Sequence, residues 1–299
     1  MTNHRRFLCQ VFLMFLVMLA PLHMFAADSD AVAGARQALE DFLVDWNRSD
    51  LAAIQEHLSF PHVTHGAAGI LVIAQSSGDF VQDFAELQNQ GWRRSTFDNF
   101  AVLQVSANKV NFLVDFTRYD ASDKIMSTSQ VFYVVTLQDD GWGMQYRSGG
   151  AAAGQVTEAE LDLVELEATS ALYRFFDAFN AADAEALFAS NHVNQVMLAV
   201  STFTHNQDRS GALINPDFAQ MRAAENWSHS VPESIEAISV MPDKVIFQLE
   251  FERFNRDGEK YAIVPATWVF TKIAGKWGIQ FRSLMMPREG GLSSPAFNN

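Results

Sequence analysis

Between Ala38 and Trp46, the positions Leu39, Phe42, Leu43 and Trp46 recur at helical spacing and form one apolar stripe. Ser49-Asp50 follows with cap oxygens for a second short helix, Leu51 to Leu58. Further along, Leu172, Phe175, Phe176 and Phe179 repeat the stripe, and Ala182-Asp183 precedes another short helix. A third helical stretch, Asp79 to Gln90 in one half and Pro216 to Glu225 in the other, leads to a tryptophan. After each tryptophan come four alternating extended runs of about 8–13 residues, rich in Val, Phe, Tyr and Thr and divided by turn residues. Asp139-Asp140-Gly141 and Ala274-Gly275-Lys276 stand where tight hairpins are expected. Helices first and an antiparallel meander afterwards predict an α+β fold.

The halves are copies of one unit. Gly141-Trp142-Gly143-Met144-Gln145-Tyr146-Arg147-Ser148 matches Lys276-Trp277-Gly278-Ile279-Gln280-Phe281-Arg282-Ser283 at five of eight positions, with a separation of 135 residues. Lys109-Val110 and Lys244-Val245, Phe116 and Phe251, Arg118 and Arg253, Trp92 and Trp227, and Ser95 and Ser230 share that separation. The first helices align at 133, with Asn47 and Asp50 answering Asn180 and Asp183. A near-constant offset over this length predicts two homologous domains. They span residues 31–148 and 158–285, joined by a Gly- and Ala-rich linker over 149–157 and followed by a tail over 286–299.

Three helices, a bent antiparallel sheet and a last strand of the form Trp-Gly-x-Gln-x-Arg-Ser resemble the nuclear transport factor 2-like superfamily. That superfamily includes ketosteroid isomerase and the SnoaL-type polyketide cyclases. Phe60-Pro61-His62-Val63 and the Phe116-Thr117-Arg118-Tyr119 stretch are similar to bacterial members. The resemblance implies two tandem cones, each with an interior that takes a small apolar ligand. It also implies pairing of the domains through their sheets, within one chain. The isomerase branch uses a carboxylate base, but no stretch of this chain carries its catalytic residues position by position.

Candidate site residues follow from alternation along the strands. Val110, Phe112, Val114 and Phe116 share a face that Arg118 continues, and Val245, Phe247, Leu249 and Phe251 lead in the same way to Arg253. An arginine ending an apolar row either points into the cone, where its fork of donors holds an anionic group, or leaves the core to meet solvent or a carboxylate. Asp115 and Glu250 lie on the opposite face and are the candidate general bases of an isomerase, dehydratase or cyclase. With Gln145, Arg147, Gln280 and Arg282 they also fit a lattice of opposite charges on the outer or interdomain face, which is the simpler reading. His62 and His192, read as matching positions after the second helix, are either ligand contacts at the cone mouth or helix-end caps. Tyr133 and Trp268 share a place in the third long strand and are candidate pocket walls. His62 and His65 do not form a convincing metal pair, and no motif calls for a cofactor.

The formal charge of −14 excludes nucleic acid and anionic membrane as expected partners. Residues 1–27 read as an export signal: Arg5 and Arg6, an apolar run from Phe7 to Ala20, Pro21, and then Ala26-Ala27 before Asp28. Cleavage predicts a periplasmic or secreted protein, and retention predicts an amino-terminal membrane anchor. The single cysteine, Cys9, lies inside that segment, which leaves the mature chain without disulfide chemistry. Taken together, the expected function is binding of a small, partly apolar molecule that can carry a carboxylate. An enzyme using a cavity carboxylate is the alternative, and a ligand-free interaction domain the third reading.

Overall fold

The computed structural model describes residues 22–149 and 156–288, with side chains from Asp28 onward. Apart from the helical backbone of 22–27, the segment read as an export signal lies outside the described residues, as do most of the linker and of the tail. No helix among the described residues is long and apolar enough to cross a membrane.

The first domain contains α1 (Leu22–Arg48), α2 (Leu51–Glu56), β1 (Leu58–His65), β2 (Leu71–Ala74), α3 (Phe84–Asn89), β3 (Arg94–Ser106), β4 (Lys109–Tyr119), β5 (Ile125–Gln138) and β6 (Gly141–Gly149). The second repeats it with α4 (Glu158–Ala181), α5 (Ala184–Ser190), β7 (Asn191–Ala199), β8 (Thr202–Asn206), α6 (Phe218–Glu225), β9 (Trp227–Met241), β10 (Lys244–Asn255), β11 (Lys260–Ile273) and β12 (Lys276–Leu284). The sheets are six-stranded, ordered β2-β1-β6-β5-β4-β3 and β8-β7-β12-β11-β10-β9. The four-stranded antiparallel meander of the sequence reading is therefore incomplete. Each copy adds a hairpin ahead of it, whose first strand runs parallel to the last strand of the meander. Thr64, His65, Gln195 and Asn194 break the apolar alternation of these segments, so they do not stand out beside the four long runs. The close parallel approach needs a glycine: a Cβ on Gly143 would lie 2.7 Å from the Ser59 nitrogen.

Repeated residues do repeated work. The Asn47 amide brackets Ser95 by accepting from its N–H at 2.8 Å and donating to its carbonyl at 2.9 Å, which ties the end of α1 to β3. Asn180 does the same at Ser230 with both distances 2.8 Å. The buried indoles of Trp92 and Trp227 donate to the hydroxyls of those serines. Asp50 and Asp183 cap α2 and α5. Each helical stripe then buries Leu39, Phe42 and Trp46, or Leu172, Phe175 and Phe176, against the concave face of its own sheet.

The convex faces pack on each other. Val63, Leu113, Phe132, Val134 and Tyr146 of the first domain form one apolar cluster with Val196, Leu198, Ile246, Val269 and Phe281 of the second. Tyr146 and Phe281, which are 135 residues apart, stack with ring centroids 3.5 Å apart, so the pseudo-two-fold axis passes between them. Two fully buried lysines cross this interface in opposite directions. Lys109 Nζ donates to the carbonyls of Leu198 at 2.9 Å and Leu284 at 2.7 Å. Lys244 Nζ donates to the carbonyls of His65, Gly66 and Gly149 and to the Ser148 hydroxyl, all within 3.1 Å. Burial pulls Lys109 down to about 7 and Lys244 to about 8.

Candidate functional site

In the first domain, the space between α1 and the sheet is left partly empty. A cavity of about 330 Å³ is walled by Phe42, Leu43, Trp46, Phe97, Phe116 and Val131, with Tyr133, Arg118, Arg147, Thr64 and His65 among its polar contributors. This lies at the lower end of the range that small-molecule sites occupy, and is about twice the roughly 150 Å³ that takes up benzene.

Its electrostatics are one-sided. Neither Arg118 nor Arg147 has a carboxylate partner among the described residues, and no acid lines the cavity. Arg147 lies over the rings of Trp46 and Phe80 and donates through Nε to Thr64 Oγ1 at 3.1 Å. Arg118 lies over Phe116, with its guanidinium carbon 5.5 Å from the ring centre. Both are lowered, chiefly by loss of water; Arg118 also opposes the charge of Arg147. Burial raises Tyr133 to about 12, so its hydroxyl remains a donor near neutral pH. The arrangement collects two cationic forks and a phenol with nothing negative to satisfy them.

The second domain has a cavity of about 140 Å³, lined by Phe175, Phe176, Phe251, Arg253, Trp268, Arg282 and Leu213 among others. Here the arginine ending the apolar row is already paired. Arg253 makes a short ion pair with the buried carboxylate of Glu225, which also accepts from the Tyr261 hydroxyl at 2.8 Å. Arg282 is held by Gln195 Oε1 at 2.9 Å and the Leu213 carbonyl at 2.8 Å. The repeat places Gln90 and Met126 of the first domain where Glu225 and Tyr261 stand in the second. The two copies have thus kept the arginines and differ in whether the protein supplies the anion.

The structure sorts the sequence candidates. Arg118 and Tyr133 line the first cavity, and Arg253 and Trp268 the second. Asp115 and Glu250 line neither: Asp115 accepts from Gln130 at 3.1 Å on the other face of the sheet, and Glu250 pairs with Arg288. Arg147 and Arg282, which alternation assigned to the outer lattice with Gln145 and Gln280, instead face the cavities. A bulge is the reason. Between Val134–Tyr146 and Val135–Met144 the register slips, which leaves Gln145 without a partner and returns Arg147 to the concave side. Gln280 is the corresponding extra residue in β12.

The histidines also depart from expectation, since neither caps a helix end or lines a cavity. Strand pairing makes Gln195, not His192, the counterpart of His62, because Val63 and Val196 face Tyr146 and Phe281. His62 Nδ1 donates to the Met144 carbonyl at 2.8 Å, as Gln195 donates to that of Ile279 at 2.9 Å. His192 lies against the Thr271 carbonyl at 3.0 Å, the place Ser59 takes in the first domain. A relay from Arg147 through Thr64 to His62 fixes the guanidinium from behind.

Burial, with Arg147 nearby, lowers His62 to about 3. The unfolded chain therefore binds a proton below about pH 6.5 that the fold refuses, and stability falls as pH drops from about 6.5 toward 3. Each pH unit in that window costs about 1.4 kcal/mol per such histidine. The expected outcome is that His62→Gln, the residue the second domain already uses, leaves urea stability near pH 7.5 almost unchanged and shallows its loss between pH 6 and 4.

Residues 29–145 match the family model for NTF2-like proteins (DUF6841). A solved NTF2-like protein with a cystatin-like fold from Novosphingobium aromaticivorans is 17% identical over 49% of this chain and 99% of its own, with a TM-score of 0.37. A Nostoc punctiforme protein of unknown function with a cystatin-like fold is 15% identical over 40% of this chain and 89% of its own, with a TM-score of 0.34. A ketosteroid isomerase-like protein from Erwinia carotovora is 16% identical over 42% and 98%, with a TM-score of 0.31. No curated protein matches the chain. Residues 29–145, which make up most of the first domain, are thus similar to the NTF2-like family, and the second domain repeats the strand order of the first.

Proposed function

We propose that this is an exported binding protein whose first domain takes up a small, partly apolar carboxylate. The observation that carries the reading is the pair Arg118 and Arg147. These two cations converge on an aromatic cavity and lack the carboxylate that the second domain supplies from Glu225 to Arg253. Half-buried arginines without an anion are costly to keep, and a ligand carboxylate would relieve that cost through charge-assisted hydrogen bonds. Aromatic walls would hold the apolar part, and the Tyr133 hydroxyl would add a neutral donor. Binding is favoured over catalysis because the candidate bases, Asp115 and Glu250, lie away from both cavities. Export rests on the basic and apolar layout of residues 1–27 and on a chain otherwise free of cysteine.

Calorimetric titration with 1-naphthoate and 1-naphthamide tests the binding reading. The acid is expected to bind at one site per chain and the amide at least about tenfold more weakly. Equal affinity for both would overturn an anion site. Gln90→Glu, which imports the second domain's own carboxylate, is expected to weaken naphthoate by a comparable factor.

A further inference from the structure

One wall of the first cavity is held from both domains. His65, Gly66 and Ala67, at the turn between β1 and β2, border the cavity, as does Gly149 at the end of β6. Within its own domain the turn is closed by Gly66 N–H to the Ile70 carbonyl at 2.8 Å and Ile70 N–H to the Ala67 carbonyl at 3.1 Å. His65 is also paired with β6 and accepts from the Tyr146 hydroxyl at 2.7 Å, whereas the remaining anchors of residues 66–69 come from the second domain. Lys244 Nζ takes the carbonyls of His65, Gly66 and Gly149. Asp243 Oδ2 accepts the Ala68 N–H at 2.6 Å. The Gln280 amide donates to the Gly69 carbonyl at 2.6 Å and accepts from His65 Nε2 at 3.0 Å. The turn needs such support, because Ala68 sits at φ 52°, a left-handed conformation unfavourable for a residue with a Cβ.

We propose that the second domain is the positioning element of the first domain's binding site. Lys244, with Asp243 and Gln280, sets the cavity wall at residues 65–69, and ligand affinity in one domain depends on side chains of the other that do not line the cavity. This rests on the binding reading given above. The mechanism is preorganisation: a wall held before the ligand arrives need not be ordered at its expense.

The pseudo-symmetry supplies a matched control. Lys109 is equally buried, crosses the same interface, and holds the carbonyls of Leu198 and Leu284, the counterparts of His65 and Gly149. It touches the second domain and leaves the 65–69 turn alone. Lys244→Met and Lys109→Met in the full chain should therefore lower Tm alike while acting differently on the site. The measurements are 1-naphthoate affinity and amide hydrogen exchange at Ala68. Lys244→Met is expected to weaken naphthoate by about tenfold or more and to speed exchange at Ala68, while Lys109→Met changes affinity by less than about twofold and leaves that exchange rate alone. Asp243→Ala, a surface change with little risk to folding, is expected to speed exchange at Ala68 and weaken naphthoate by about threefold. Equal losses of affinity in the two lysine variants, or unchanged affinity in both Lys244→Met and Asp243→Ala, would overturn the proposal and leave the binding reading standing. Failure of the wild-type chain to bind naphthoate would instead overturn the binding reading, and this proposal with it.

Discussion

Replacing Arg118 and Arg147 together by methionine is expected to abolish carboxylate binding and to raise, not lower, thermal stability. Each guanidinium facing a buried carboxylate is worth about 2–5 kcal/mol on truncation, so a single replacement should weaken naphthoate at least about thirtyfold and the pair beyond detection. The stability gain comes from the unliganded state. Both groups are pulled down by desolvation, and Arg147 also by the charge of Arg118, without an acid among the described residues to offset this. Methionine fills a similar volume against Trp46, Phe80 and Phe116 and removes the penalty. Calorimetry without ligand and titration with it read the two effects separately. A fall in Tm together with unchanged affinity would mean that the arginines serve packing alone.

The second large effect is expected at the interface. Phe281 is fully buried, stacks on Tyr146 and lies edge-on to Phe132, so it belongs to the first domain's surroundings as much as to its own. Phe281→Ala should cost about 3–5 kcal/mol from lost transfer energy and the cavity left behind, or roughly 10 °C in Tm. Tyr146→Phe tests a different term. It keeps the stack but removes the hydroxyl that donates to His65 Nδ1 at 2.7 Å, and should cost only about 1–2 kcal/mol. A loss at Phe281→Ala no larger than at Tyr146→Phe would show that the sheets do not depend on each other for stability.

The doubling was legible because Lys109, Arg118, Trp92 and Ser95 each have a partner at a single offset, and all of those pairs prove to be structural equivalents. Arg118 and Tyr133 were legible as cavity residues because β4 and β5 alternate without interruption where they lie. Arg147 was not, since period-two reasoning carries through a strand only until a bulge inserts a residue, and nothing in the identities of Gln145 or Gln280 announces one. The hairpin of β1 and β2 was missed for a related reason. Its strands carry His62, Thr64 and His65, polar residues satisfied by the neighbouring strand and, for His65, by the second domain, which no local pattern records. His62 and His192 were paired by proximity to Val63 and Val193, whereas strand pairing gives Gln195 the place of His62.

The stack at the centre of the molecule has a consequence for what fusion permits. In an assembly of two identical chains, a residue on the axis confronts itself, and any change there is made twice at once. A single polypeptide escapes that rule: Tyr146 keeps a hydroxyl for His65 while Phe281, facing it, carries none. The same licence allowed Glu225 to pair with the arginine of one cavity while Gln90, its counterpart, brings no carboxylate to the other. Covalent joining has given this protein two chambers of one design that need not share an occupant.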